Sequence, residues 1–265
     1  MEHYNWGGIF RRLEEYVPDI SRQQLHETST DYIILKRRLM HVFQFKLMDR
    51  LLNLTIRIPK DREILVVDIG DSAGTHMTYL RKANPDRKIR TISVNLCEEE
   101  VNRIKAKGME AILCRAEELD LGDAKIAFST SFEMVEHLHN PSLFFRRLAI
   151  KANTEYLIIT VPYLEKSRIG LHRLRAIIAN GKIPDRKITA EEEHIFELAP
   201  GDWELLVIHS GWSIIERKIY YQYPNAFPYN LFLKKLWRKL DFEGFFGLIL
   251  KRDTRFMELY QDWEN

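Results

Sequence analysis

The stretch Ile64-Leu-Val-Val-Asp-Ile-Gly-Asp-Ser-Ala-Gly-Thr-His-Met-Thr-Tyr-Leu80 limits what this chain can fold into more than any other. Its apolar run does not alternate with polar residues, so it reads as a strand buried on both faces. The glycines that follow then open a helix that stops near Asn84-Pro85. A strand of that kind belongs inside a parallel sheet covered on both sides. The alternation continues: strands are predicted at 89–95, 110–114, 125–129 and 155–161, with helices at 76–83, 98–107 and 142–151. Right-handed crossovers bring the carboxyl ends of all these strands to one rim, where the ligand crevice of such a sheet lies. A helix at 202–210 and strand candidates at 212–221 and 245–251 complete the series.

Residues 1–62 read as a helical N-terminal extension, since Ile33, Ile34, Leu39, Val42, Phe43, Leu47 and Leu51 recur near helical spacing. The main domain is expected at 63–252, with a basic insertion at about 163–193 and a tail at 253–265. That insertion, with Lys166, Arg168, Arg173, Arg175, Lys182 and Arg186, reads as a substrate lid suited to an anionic acceptor. The segment Phe227–Leu240 is aromatic, apolar and basic together. Packing on the sheet is its favoured reading, and peripheral contact with an anionic membrane is the alternative.

Net charge is only +2, so bulk electrostatics does not call for nucleic acid. The only cysteines, Cys97 and Cys114, lack metal-binding spacing and point to a reducing cytoplasm. No apolar run approaches the roughly 20 residues of a membrane span.

The nicotinamide fingerprint needs glycine at positions 70, 72 and 75, but Ser72 and Thr75 stand at two of them. A P-loop needs a terminal Gly-Lys-Ser/Thr, which this turn lacks. What remains is acid-x-Gly-x-x-x-Gly: Asp68 closes the strand, Gly70 turns the chain and Gly74 permits close backbone approach. An acid there suits a cationic group better than a pyrophosphate.

At these residues the chain resembles the class I S-adenosylmethionine-dependent methyltransferases, near the small-molecule and quinone O-methyltransferases. Asp68-Ile-Gly70-Asp-Ser72-Ala-Gly74 matches the turn that wraps the amino-acid end of the cofactor, with Ser72 for the middle glycine. Asn95 stands where the family's ribose-binding acid ends the second strand; capping of the next helix is its other reading. Arg115-Ala116-Glu117-Glu-Leu119 stands at the adenine turn. Ser131-Phe-Glu-Met-Val-Glu-His-Leu-His-Asn-Pro141 resembles the segment after the fourth strand. The resemblance implies a Rossmann-like sheet of seven mostly parallel strands, helices on both faces and an antiparallel last strand. It assigns Asp68, Gly70, Ser72, Gly74, Asn95, Ala116, Glu117 and Ser131 to cofactor binding.

The implied reaction moves the sulfonium methyl to an oxygen of a small-molecule, glycan or lipid-linked acceptor. His137 is the expected general base and His194 the reserve, since a neutral imidazole takes a proton near pH 7. If the 133–137 segment is helical, Glu133, Glu136 and His137 share a face and, with His194, offer ligands for a divalent metal; the metal-free site is favoured. Two rivals stand beside the enzyme. One is a non-catalytic binding protein, motivated by Ser72, Asn95 and Arg115; the other, disfavoured, is a nicotinamide oxidoreductase.

Overall fold

The computed structural model describes residues 6–23, 30–55, 59, 61–170, 179, 181, 194–222 and 244–260. Most of the basic lid lies outside them, as do His172 and the whole of Phe227–Leu240. Among the described residues, no helix is long and apolar enough to cross a membrane.

The sheet has seven strands: β1 (Ile64–Ile69), β2 (Ile89–Asn95), β3 (Glu110–Leu113), β4 (Ile126–Phe132), β5 (Tyr156–Pro162), β8 (Trp212–Tyr221) and β9 (Gly244–Arg252). Their order is β3-β2-β1-β4-β5-β9-β8. The first five pair in parallel, and β9 runs antiparallel to both its neighbours, β5 and β8. A short antiparallel pair, β6 (Arg168–Ile169) with β7 (Phe196–Glu197), sets Arg168 opposite Glu197.

Side chains alternate across each strand, and this sorts the core into two. Val66, Ile158 and Ile249 point into one apolar cluster. Val67, Leu157, Ile159, Leu248 and Leu250 point into the other. The first is covered by α1 (Trp6–Tyr16), α2 (Asp31–Arg50), α3 (Thr75–Ala83) and α4 (Glu98–Ala106). The second is covered by α5 (Pro141–Lys151) and α6 (Pro200–His209), with Trp203 and Trp212 fully buried. Trp212 Nε1 donates to the Phe145 carbonyl at 2.9 Å, which satisfies its one polar atom.

Helix α2 is buried along an unbroken run from His41 to Phe45, so it has no wholly solvated face. Thr30 caps its start, accepting from Ile33 N. Arg38, 3% exposed, donates to the carbonyls of Leu13, Val17 and Pro18 and pins α1 onto α2. The far ends of the chain also meet here: Arg50 pairs with Glu216, and Gln222 Nε2 donates to the Lys36 carbonyl at 2.8 Å.

Strand β4 runs further than the sequence suggests. The expected end was Ser129, but pairing with β5 continues through Phe132. The polar run Ser129-Thr130-Ser131 is wholly buried. Ser129 Oγ donates to Thr154 Oγ1 at 3.2 Å and Thr130 Oγ1 to Asp68 Oδ1 at 2.7 Å, so hydroxyls that look like a loop find partners inside the sheet.

Candidate active site

The strand order reverses between β1 and β4, and the crevice of an open α/β sheet opens at such a switch point. The glycine turn leaves β1 here. Gly70 (φ +88°) and Gly74 (φ +71°) both lie in the left-handed region, where a side chain is strained. A Cβ on Gly74 would also strike Met109. Ser72 is not among the positive-φ residues, so its side chain costs the turn no such strain; its hydroxyl donates to the Gln23 carbonyl at 3.4 Å. Gly70 is exposed and leaves the backbone open to a ligand.

Asp71, which the sequence reading passed over, does the local work of the turn. Its Oδ1 accepts from Gly74 N (3.0 Å) and Thr75 N (3.2 Å), and its Oδ2 from Ser93 Oγ (3.1 Å). The carboxylate thus caps α3 at the positive end of the helix dipole. A pyrophosphate placed there would meet that carboxylate, which speaks against dinucleotide chemistry.

Asp68 turns inward. Its Oδ1 takes Thr130, and its Oδ2 has no hydrogen-bond partner and lies 3.7 Å from His76 Nδ1. Burial and the neighbouring Asp71 carboxylate push the Asp68 carboxyl well above the usual range. Asn95 is engaged within the chain: Nδ2 donates to the Asp71 carbonyl (3.1 Å) and Glu100 Oε2 (2.9 Å), and Oδ1 accepts from Cys97 N (2.8 Å). These bonds close a turn just before α4, whose N-cap residue, Cys97, makes no side-chain cap, so Asn95 orders the approach to the helix without capping it. Ala116 and Glu117 sit half-buried on a 3-10 turn, with the Glu117 carbonyl accepting from Arg147 at 2.9 Å.

A web of buried polar groups lies behind the turn. Gln44 Nε2 donates to Thr160 Oγ1 at 3.0 Å, so its oxygen accepts from His76 Nε2 at 2.9 Å. Burial pulls His76 from 6.5 down to about 3. The unfolded chain therefore takes up this proton first, and stability tied to His76 is whole above pH 6.5 and drains as pH falls toward 3. From about pH 6.5 to 5 the loss is about 2 kcal/mol. Thermal melts should show wild type losing more stability than His76→Gln over that range; parallel curves would remove His76 from the acid response.

Beyond Phe132 the helical condition for a shared face is not met. Glu133 adopts φ +50° and Val135–His137 makes a single 3-10 turn. Glu136 and His137 nevertheless meet His194, because the Glu136 carbonyl accepts from Ile195 N at 2.8 Å and holds the 194–197 segment alongside. Ligand atoms of Glu136, His137 and His194 all lie within 4.8 Å of one another, whereas Glu133 is outside that group. The two imidazole rings are T-shaped with centroids 4.8 Å apart. His194 Nδ1 meets Glu197 Oε1 at 3.0 Å, and Arg168 pairs with the other oxygen of Glu197. Burial alone would raise the Glu197 carboxyl, but hydrogen bonds from Arg168 and His194 hold it below its ordinary value. Burial pushes Glu133 up to about 8, and burial followed by the Glu133 charge pushes Glu136 well above the carboxylate range.

Buried polar atoms without a partner concentrate here. Among the described residues there are eight, and Asp68, Ser131, Glu133 and Glu136 account for five. Each such atom costs about 1–3 kcal/mol unless something meets it, so this rim is built to receive a polar or charged ligand. The residues fit a cofactor with a cationic end. Glu136, His137 and His194 also fit a divalent ion, as a mixed oxygen and nitrogen donor set.

No family model matches the chain, and no curated protein matches its sequence. Solved structures do. A candidate sarcosine dimethylglycine methyltransferase from Galdieria sulphuraria superposes with a TM-score of 0.59 at 12% identity, over 95% of this chain and 100% of that one. An S-adenosylmethionine-dependent methyltransferase from Mesorhizobium loti gives 0.51 at 14%, over 80% and 98%. The [4+2]-cyclase SpnF gives 0.52 at 14%, over 79% and 81%, so likeness at this level extends to a protein named for other chemistry. Strand order, the switch-point turn and these likenesses together give the chain the fold of the class I S-adenosylmethionine-dependent methyltransferases.

Proposed function

We propose that the protein is an S-adenosylmethionine-dependent methyltransferase acting on a hydroxyl of a small-molecule, glycan or lipid-linked acceptor. The observation that carries this is the concentration of unpartnered buried polar atoms, beside the exposed Gly70 and a histidine pair, on the carboxyl rim of β1 and β4. Bound there, S-adenosylmethionine supplies a methyl already activated on sulfur. The chain's task is then alignment and proton removal. Gly70 to Gly74 and the Asp68 region hold the amino-acid end, Ser131 lies behind it, and Ala116-Glu117 edges the adenine. Asn95 reaches the ribose only through the second lone pair of its Oδ1.

His194 is the better-placed base, ahead of His137. Its Nδ1 donates to Glu197, which leaves Nε2 with a lone pair, and Arg168 holds the carboxylate behind it. This is the imidazole–carboxylate arrangement that orients a general base and stabilises its protonated form. His194 Nε2 takes the acceptor's hydroxyl proton, and Glu197 sits against the imidazolium that results.

A second reading is favoured by one observation: both carboxylate oxygens of buried Glu136 lack hydrogen-bond partners beside His137. A divalent cation on Glu136, His137 and His194 would satisfy them and acidify a bound hydroxyl. A chelator separates the two.

Calorimetry with S-adenosylhomocysteine tests the main reading. One-to-one binding is expected, together with S-adenosylhomocysteine formation from S-adenosylmethionine on a panel of phenolic, glycan and lipid-linked hydroxyls. No heat with either compound at high micromolar concentration overturns the proposal. Binding with no turnover on any acceptor favours the non-catalytic rival instead. NADH fluorescence should not change on mixing, because Asp71 occupies the helix end a dinucleotide needs.

A further inference from the structure

A cavity of about 760 Å³ lies between the N-terminal extension and the flank of α3, behind the glycine turn, where the Gln23 carbonyl accepts from Ser72 Oγ and Lys107 donates to the Ala73 carbonyl. Cations approach it from three sides. Arg81 and Lys82 come from the last turn of α3, Arg87 and Lys88 from the turn into β2, and Lys107 from the end of α4. Among the described residues, Asp19 is the single acid in the lining. The whole chain carries 40 basic against 38 acidic residues, so a five-to-one wall departs sharply from its average.

Neutralisation of that wall is partial: the charges of Asp71, Asp19 and Glu100 act on Lys107, and Arg87 Nη2 donates to Asn53 Oδ1 at 3.4 Å, which leaves its charge chiefly to Arg81, Lys82 and Lys88. Lys82 Nζ donates to the Tyr16 carbonyl at 2.8 Å, and Lys107 Nζ to Gln23 Oε1 at 2.6 Å and the Ala73 carbonyl. These acceptors are neutral. Arg81 and Lys88 are both exposed, and their side chains have no ion pair or hydrogen bond among the described residues. The carboxyl end of the α3 dipole offsets part of the charge near Arg81 and Lys82. It cannot reach Lys107, because the effect fades within one turn. Like charges gathered around a concavity raise their mutual energy and focus a positive potential into it.

The shape narrows the ligand. A single carboxylate would leave most of the cations unmatched. Several negative charges in one compact molecule match them, and phosphate oxygens suit both the arginine fork and the lysine point charge. The volume falls within the range of small-molecule sites. Tyr16, Ile89 and Met109 supply an apolar side against which a ring can rest. Extended nucleic acid would call for a stripe of cations along the surface; these converge on one hollow instead. We propose that this cavity is a binding site for a small molecule carrying a chain of phosphates, of the nucleoside polyphosphate class, separate from the methyl-transfer crevice.

The test uses the full chain at physiological salt, titrated calorimetrically with inorganic tripolyphosphate and, separately, with ATP. Saturable one-to-one binding is expected for both. Tighter binding of ATP means the apolar side holds the base; equal binding means the phosphate chain suffices, and either upholds the site. The double variant Arg81→Gln/Lys88→Gln should weaken both ligands at least tenfold. Its melting temperature and S-adenosylhomocysteine affinity should not change, since both residues are exposed and outside the crevice. Three results overturn the proposal: no saturable binding of either ligand, affinity untouched by the double variant, or a stoichiometry above one. A single-stranded oligonucleotide binding more tightly than ATP at equal phosphate count would also overturn it, in favour of nucleic acid.

Discussion

Replacing His194 with alanine is expected to lower turnover by ~10²- to 10⁴-fold, the usual worth of a positioned general base. Affinity for S-adenosylhomocysteine should stay within about twofold, because the lost group acts on the acceptor's proton and not on cofactor binding. Glu197→Gln should cost less, since the amide oxygen still accepts from His194 Nδ1 but no longer offsets the imidazolium, and Arg168 loses its ion pair. His137→Ala is the control that ranks the two histidines: a smaller loss than His194→Ala supports the assignment, and a larger one reverses it. With a chelator present, wild-type turnover should persist. Its loss, with restoration by one divalent metal, would transfer both histidines and Glu136 to a metal site.

The second large effect is on stability. Arg38→Ala should destabilise the protein by about 1.5–3 kcal/mol, the range for losing hydrogen bonds made by a charged group. The guanidinium donates to three carbonyls and lies 3.6 Å from Glu14 Oε1. Its deletion leaves those carbonyls short of donors in a buried seam, and a cavity behind them. Against a total of roughly 5–15 kcal/mol for a typical domain, that is a large share. Denaturant unfolding measures it, and hydrogen exchange should show α1 losing protection first. A change below about 1 kcal/mol would mean that water replaces the guanidinium without cost.

How far the sequence led depends on the kind of interaction. The glycine turn was legible because positive φ at Gly70 and Gly74 is a local demand that few residues meet. The parallel sheet was legible because continuous apolar strands have few other uses. Pairings across the chain were not. Nothing in the periodicity of α2 distinguishes Arg38, His41 and Gln44 from solvated residues; their partners lie in α1, α3 and β5. The helical premise for Glu133 to His137 failed because Phe132 is held in β4 and Glu133 then turns the chain left-handed. The orienting role of Glu197 was not legible either, because it needed Arg168 opposite it across β6 and β7.

The pairing of α2 with the end of the chain has a consequence for how the molecule comes into being. Gln44 bonds a residue 116 positions later, Arg50 one 166 later and Lys36 one 186 later. During synthesis, the greasy flanks of this early helix wait for strands not yet made. Contacts so distant along the chain slow folding and prolong the exposure of sticky intermediates. The nascent protein should therefore lean on chaperones until β8 has emerged and α2 has met its partners.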